Sequence, residues 1–169
     1  MMKTKPGPSM HTNGYFHTSL QKGEFSIEKQ HDTLQQACQH SGAIVTFTGL
    51  VRDLSKSRTQ VSSIELSIYK AMTQKQLHNI GSDIFERFDI DGLDIIHRYG
   101  KLTPMEKLVY VGVASKHRAE AFNAAQMTMD ILKSNVAFWK KEHYVDDTPS
   151  QWIEPSQNDH KAIQHWMKK

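Results

Sequence analysis

Residues 115–142, SKHRAEAFNAAQMTMDILKSNVAFWKKE, set the frame for the chain. Ala121, Phe122, Ala125, Leu132 and Val136 recur at spacings that keep them on one helical stripe, so the segment reads as one long helix with that stripe in the core. The chemistry lies at its ends. Ser115 reads as an N-cap, and His117 and Arg118 fall in the first turn, where unpaired backbone N–H groups and the helix dipole favour an anion. Lys133 stands near the other end, ahead of Phe138, Trp139, Lys140, Lys141 and Glu142. At about 1.5 Å of rise per residue, Arg118 and Lys133 lie roughly 22 Å apart, too far to serve one small ligand from the same helix. Either they belong to two sites, or the two ends of the helix meet across a two-fold dimer.

Outward from this helix, strands and helices alternate irregularly. Ala43 to Val51 is a β-rich run ending at Arg52 and Asp53, and the polar segment at residues 54–60 reads as a mobile loop. Val61 to Tyr69 alternates as a strand, and Met72, Leu77, Ile80, Ile84 and Phe88 share a helical face. Leu93 to Tyr99 and Lys107 to Ala114 follow as strands, the second with Val109, Val111 and Val113 on one face. Phe25 and Ile27 predict a short strand, Asp32 to His40 a small helix closed by Gly42, and Gln151 to Glu154 a last short strand. Residues 1–23 mix Pro, Gly, Ser, Thr and Asn without period and are expected to form a flexible leader; residues 24–155 form the domain, and residues 156–169 a basic tail that reads as helical. This order lacks the regular alternation of a doubly wound sheet. The fold class is therefore α+β, with a largely antiparallel sheet and three main helices.

At 169 residues, with 38% hydrophobic and 23% charged residues, the chain is one domain with a modest core. No apolar run approaches the roughly 20 residues of a membrane span, no secretory h-region follows the first lysines, and the cytoplasm is the expected compartment. The single cysteine, Cys38, excludes an internal disulfide and a multi-cysteine zinc site, and reads as a buried structural thiol. Ten scattered histidines give no metal-ligand spacing, so no metal is expected. The net charge of +3 permits an anionic ligand and does not call for nucleic acid. Glycine-rich phosphate loops, HExxH, CxxC and GxSxG are absent from the sequence. What stands out is cations at element ends: Arg52 after a strand, His117 and Arg118 opening a helix, Lys133 and Lys140 around its far end. Lysines close to other cations lose their proton more easily, which suits them as base or nucleophile. The residues alone describe an anion-binding α+β domain with catalytic potential.

Five ordered motifs then carry a resemblance: FTGLVR at 47–52, IELSIYKAMTQKQL at 64–77, IIHRYGKL at 95–102, VYVGVASKHRAEAF at 109–122 and ILKSNVAFWKKE at 131–142. Together they resemble the large, catalytic subunit family of molybdopterin synthase, over residues 42–154. The resemblance implies a hammerhead-like α+β fold and a sulfurtransferase without a cofactor of its own. Its substrate would be cyclic pyranopterin monophosphate, and its product the molybdopterin dithiolene. Each sulfur would arrive as a thiocarboxylate on the C-terminal Gly-Gly tail of a small ubiquitin-like partner subunit. The large subunit would form the homodimer at the centre of a heterotetramer, without nucleic acid or membrane.

By the same resemblance, Leu50, Val51 and Arg52 line the substrate pocket, while His117 and Arg118 bind the anionic substrate from across the dimer. Lys133 matches the key lysine beside the thiocarboxylate, in an acid/base or covalent role, and Lys140, with Lys141 and Glu142, closes the site. The catalytic pair is thus Lys133 and Lys140. Three departures stand out: Ala137 where the family commonly has Pro, Ser67 where Glu is common, and Pro155 and Ser156 where an Arg often contacts the anion. The alternative is a non-catalytic scaffold that binds a ubiquitin-like partner's tail.

Overall fold

The computed structural model describes residues 9–11, 14–53, 55, 59–154, 162 and 164–166. Its main sheet holds strands β1 (Ser9–His11), β2 (Gly14–Gln21), β3 (Ala43–Leu50), β5 (Gly92–Arg98) and β7 (Lys107–Ser115), in the order β1-β2-β5-β7-β3. Only β2 and β5 run parallel; the other neighbours are antiparallel. Strands β4 (Val61–Ser67), β6 (Gly100–Leu102), β8 (Trp139–Tyr144) and β9 (Gln151–Ile153) form a second, wholly antiparallel sheet in the order β6-β4-β8-β9. The helices are α1 (Ile27–Ala37), α2 (Lys70–Arg87) and α3 (Arg118–Asn135). The α+β class and the antiparallel bias are as the sequence predicts.

The main sheet is covered on both faces. Leu93, Ile95, Val109, Val111 and Val113 pack against Leu77, Ile80 and Ile84 of α2 and Ala121, Ala125 and Leu132 of α3. On the other face Leu34 and Cys38 of the α1 segment meet Tyr15 and Ala114. This explains why β5 and β7 read as nearly continuous apolar runs, as strands buried on both sides do. Gly92 is the close-approach point for α1: a Cβ there would stand 2.5 Å from Cys38 Sγ and 2.9 Å from a Leu34 methyl. Burial, and then the nearby Asp91 charge, push the Cys38 thiol up to about 11, which keeps it a protonated packing group.

Several expectations need correction. The stretch expected to be a flexible leader carries β1 and β2, and Phe16 and Leu20 lie in the core. His17 Nδ1 bonds Asp94 Oδ1 at 2.8 Å directly across the β2–β5 pair, which ties the strand down. The folded unit therefore begins well before residue 24. Phe25 and Ile27 form no strand; Ser26 caps α1 by accepting the Lys29 N–H, and the helix starts at Ile27. The long helix does not reach Glu142. It ends at Asn135, and Trp139–Tyr144 pair with β4, because the open β4 backbone edge offers a ladder to this stretch, which is bounded by the β-prone aromatics Trp139 and Tyr144. Ser115 is not its cap either: Ser115 ends β7, its Oγ donates to the Asp89 carbonyl at 2.8 Å, and His117 holds the N-cap position. Phe122 is exposed, as is Met72, whose place on the buried face of α2 is taken by Thr73.

Of the loop at 54–60, Ser55, Thr59 and Gln60 are described; Arg58 lies outside the described residues, as do Pro155 and Ser156. In the tail, residues 162 and 164–166 are helical. Trp166 there packs on the core and donates its indole N–H to Asp130 at 2.8 Å.

A buried histidine makes stability depend on pH. His97 of β5 donates from Nδ1 to the Arg98 carbonyl at 2.8 Å and stacks on Phe138 at 3.9 Å between ring centroids. Burial lowers its pKa from 6.5 to about 4. Between these values the unfolded chain binds a proton that the folded chain does not. The neutral ring's stabilisation is therefore complete above pH 6.5 and is lost as pH falls towards 4, about 3 kcal/mol in all. Denaturant titrations at pH 7 and pH 4 should show this loss for the native chain, and a smaller loss for His97→Gln. Equal losses would disprove the assignment.

Candidate active site

The sequence-derived residues gather around β8. Leu50, Val51 and Arg52, at the end of β3, line a small cavity of about 40 Å³ with Ile64, Leu108, Lys140 and Glu142. Its shape follows from strand alternation. Lys140 and Glu142 stand opposite Leu66 and Ile64 of β4 and share their face, which covers the second apolar cluster of Val51, Ile64, Leu66 and Leu102. Lys140 Nζ lies 3.6 Å from Glu142 Oε1, and the Tyr144 hydroxyl donates to Glu142 Oε2 at 3.3 Å. Burial, the Glu142 charge and this hydrogen bond together raise the Tyr144 pKa, so the phenol stays protonated as the donor. The cavity has room for little more than one oxygen-bearing group. It can grip the anionic edge of a ligand.

The rest of a ligand needs the groove beyond. Residues 134–140 and 152–154 line an open depression of about 600 Å³, a size that suits a small molecule or an extended peptide tail. Lys140 borders both spaces. Lys133 is exposed in the last turn of α3, next to Ser134 at the rim. A somewhat larger depression of about 720 Å³ runs beside α1, but neither Lys nor Arg lines it, so it offers no counter-charge to an anion. Chemistry rather than volume selects the β8 groove.

Three of the expected residues stand apart. Lys141 lies on the opposite face of β8, with Nζ 5.6 Å from the ring centre of Trp152, so it does not share the cavity with Lys140. His117 and Arg118 are exposed at the start of α3, a helix length from Lys133, and one protomer does not bring them to the groove. The sequence reading missed Phe138, Trp139 and Trp152 as groove walls, and Tyr144 behind Glu142. A period of two across WKKEHY would have separated Lys140 and Glu142 from Lys141. Among the described residues, no three His, Cys, Asp or Glu side chains gather as a metal site.

The family model described as MoaE protein matches residues 20–135. The chain belongs to the MoaE family. A relative from Brucella melitensis, named molybdopterin synthase catalytic subunit, is 38% identical over 148 residues, covering 88% of this chain and 89% of its own. The solved structure of molybdopterin cofactor biosynthesis protein E from Burkholderia multivorans superposes with a TM-score of 0.75 at 32% identity, covering 89% of this chain and 96% of that one. Molybdopterin synthase from Staphylococcus aureus superposes with a TM-score of 0.72 at 29% identity, covering 80% of this chain and 95% of that one. No described helix is long and apolar enough to cross a membrane.

Proposed function

We propose that the chain is the catalytic subunit of a molybdopterin synthase, a sulfurtransferase of molybdenum cofactor biosynthesis. The observation that carries this reading is the position of Lys140, which borders both the cavity beside Arg52 and the groove along residues 134–140. The groove receives the C-terminal tail of a small ubiquitin-like sulfur-carrier subunit, and the cavity holds the phosphate edge of cyclic pyranopterin monophosphate. Arg52 and Lys140 are then fixed cations where opening the cyclic phosphate develops negative charge, the place where pre-set charge lowers a barrier most. Glu142 holds Lys140 in place. Lys133, at the rim, meets the thiocarboxylate as acid, base or covalent partner.

His117 and Arg118 act in this scheme from a second copy of the chain, which places a homodimer at the centre of a heterotetramer. The sulfur comes from the partner's thiocarboxylate, so the chain uses no cofactor, and the cytoplasm is the compartment. The test is reconstitution of purified chain, thiocarboxylated small subunit and cyclic pyranopterin monophosphate, with the dithiolene product read as its oxidised fluorescent derivative. Product formation is the expected result. A small subunit that binds without product would favour a non-catalytic scaffold instead.

A further inference from the structure

We propose that Gln76 is a positioning residue that holds the connector between Lys133 and Lys140 in its working shape. The inference rests on the function proposed above, and concerns a side chain on α2 that lies outside the cavity and the groove. Between the end of α3 and the start of β8 the chain has only residues 136–138 to turn from helix to strand. Those residues set where Lys140 stands relative to Lys133.

Gln76 grips this turn with both ends of its amide. Nε2 donates to the Asn135 carbonyl at 3.1 Å, and Oε1 accepts the Ala137 N–H at 3.2 Å. The Asn135 carbonyl is one of the last carbonyls of α3, which no longer has an intrahelical donor. Ala137 lies between the end of α3 and the start of β8, outside the ladder that β8 forms with β4. One side chain therefore satisfies two of the backbone groups that the helix-to-strand turn leaves without a regular partner. His97 also stacks on Phe138 at an interplanar angle of 18°, so the connector is held by a hydrogen-bonding clamp and by a ring.

A proline at position 137 would fix its own φ and carry no N–H. Ala137 does neither. The backbone here is nevertheless what a proline would adopt. Val136 has φ −91° and ψ 129°, the extended conformation that a residue before Pro requires. The Phe138 N–H donates to the Val136 carbonyl at 2.9 Å, a three-residue turn centred on Ala137. Met105 is the only described non-glycine residue with positive φ, so the turn at Ala137 is the inverse form, whose φ of about −75° lies within proline's range. Gln76 thus supplies through two hydrogen bonds the rigidity that a ring would supply covalently.

The test is a cycle of Gln76→Ala, Ala137→Pro and the double variant, read by steady-state dithiolene formation and by amide hydrogen exchange at Ala137 and Phe138. Gln76→Ala should lower kcat by about 10-fold while KM for the pterin changes less than about twofold, because misplacement of Lys140 costs the chemical step more than binding. Exchange at Ala137 should speed up in this variant. Adding Ala137→Pro to Gln76→Ala should restore kcat to within about twofold of the native chain, since the ring removes the unpaired N–H and fixes the turn. A native kcat in Gln76→Ala, or a loss that Ala137→Pro does not restore, would overturn the proposal. The exchange measurement separates the clamp from the enzyme reading. Unchanged exchange at Ala137 in Gln76→Ala refutes the clamp whatever the activity, whereas faster exchange in a chain whose native form makes no product leaves the clamp standing and removes the function.

Discussion

Lys133→Ala should abolish dithiolene formation, lowering kcat by at least about 10³-fold, with the fold and the binding of the small subunit nearly unchanged. The structural cost is small for three reasons. Lys133 is exposed, the local packing and back-bonding are carried by its neighbours Leu132, which is buried, and Ser134, whose hydroxyl donates to the Asp130 carbonyl, and Ala is at least as good a helix former as Lys. What the substitution removes is a cation near the C-terminal end of a helix, worth about 0.3–1 kcal/mol of stability. The rate loss and the stability loss are therefore of different orders, and thermal unfolding separates them. Lys133→Arg sharpens the result, because Arg keeps the charge but neither gives up a proton nor acts as a nucleophile near neutral pH. If Arg restores turnover, Lys133 works by charge alone. If Arg is as inactive as Ala, it transfers a proton or forms a covalent bond. Native turnover in Lys133→Ala would remove Lys133 from the chemistry altogether.

How far the sequence discloses this arrangement depends on how strongly local pattern and tertiary pairing agree. In β5 and β7 they agree: Leu93, Ile95, Val109, Val111 and Val113 are apolar, β-prone and buried, and both strands are legible. In β2 the alternation of Phe16, Thr18 and Leu20 is too short, and too embedded among turn-forming residues, to register as a period in the sequence. It becomes a strand because β5 offers a parallel edge and Asp94 a partner for His17. Residues 136–142 are undecided locally, and the pairing of β8 with β4 decides them. The same decision controls the site. Ordered motifs single out Arg52, Lys133, Lys140 and Glu142, but only strand alternation places Lys140 and Glu142 beside Arg52 and turns Lys141 towards Trp152. Phe122 shows the converse: it lies on a helical stripe with Ala121 and Ala125, yet it is exposed.

Arg98→Ala should cost about 3–4 kcal/mol of folding stability, the largest loss expected of any single side-chain truncation outside the apolar core. Arg98 is 5% exposed at the end of β5 and spends all three of its nitrogens. Nε and Nη2 donate to the Lys22 carbonyl at 3.2 and 3.1 Å, just past β2. Nη1 donates to the Lys107 carbonyl and to Glu106 Oε1, both at 3.0 Å. Glu106 in turn accepts the Thr103 N–H at 2.7 Å and its hydroxyl at 3.0 Å through Oε2. The Thr103 N–H, and further down Arg98 itself, hold the Glu106 carboxyl below the usual range. This turn needs holding: Met105 has φ 70°, a left-handed conformation that costs a non-glycine residue about 1 kcal/mol or more. It also supports the cavity wall, since Val51 donates to the Glu106 carbonyl at 3.0 Å and accepts the Met105 N–H at 2.9 Å.

Truncating Arg98 leaves two backbone carbonyls short of donors and frees the carboxylate that closes the strained turn. The denaturation midpoint should fall with the m-value unchanged. Arg98→Lys should recover less than half of the loss, because an ammonium cannot span Lys22, Glu106 and Lys107 as a planar fork does. Glu106→Gln, which keeps the shape and loses the charge, should cost about 1 kcal/mol. The order of the three losses carries the argument, since an Arg98 that acted only as a surface charge would show all three within about 0.5 kcal/mol of the native chain.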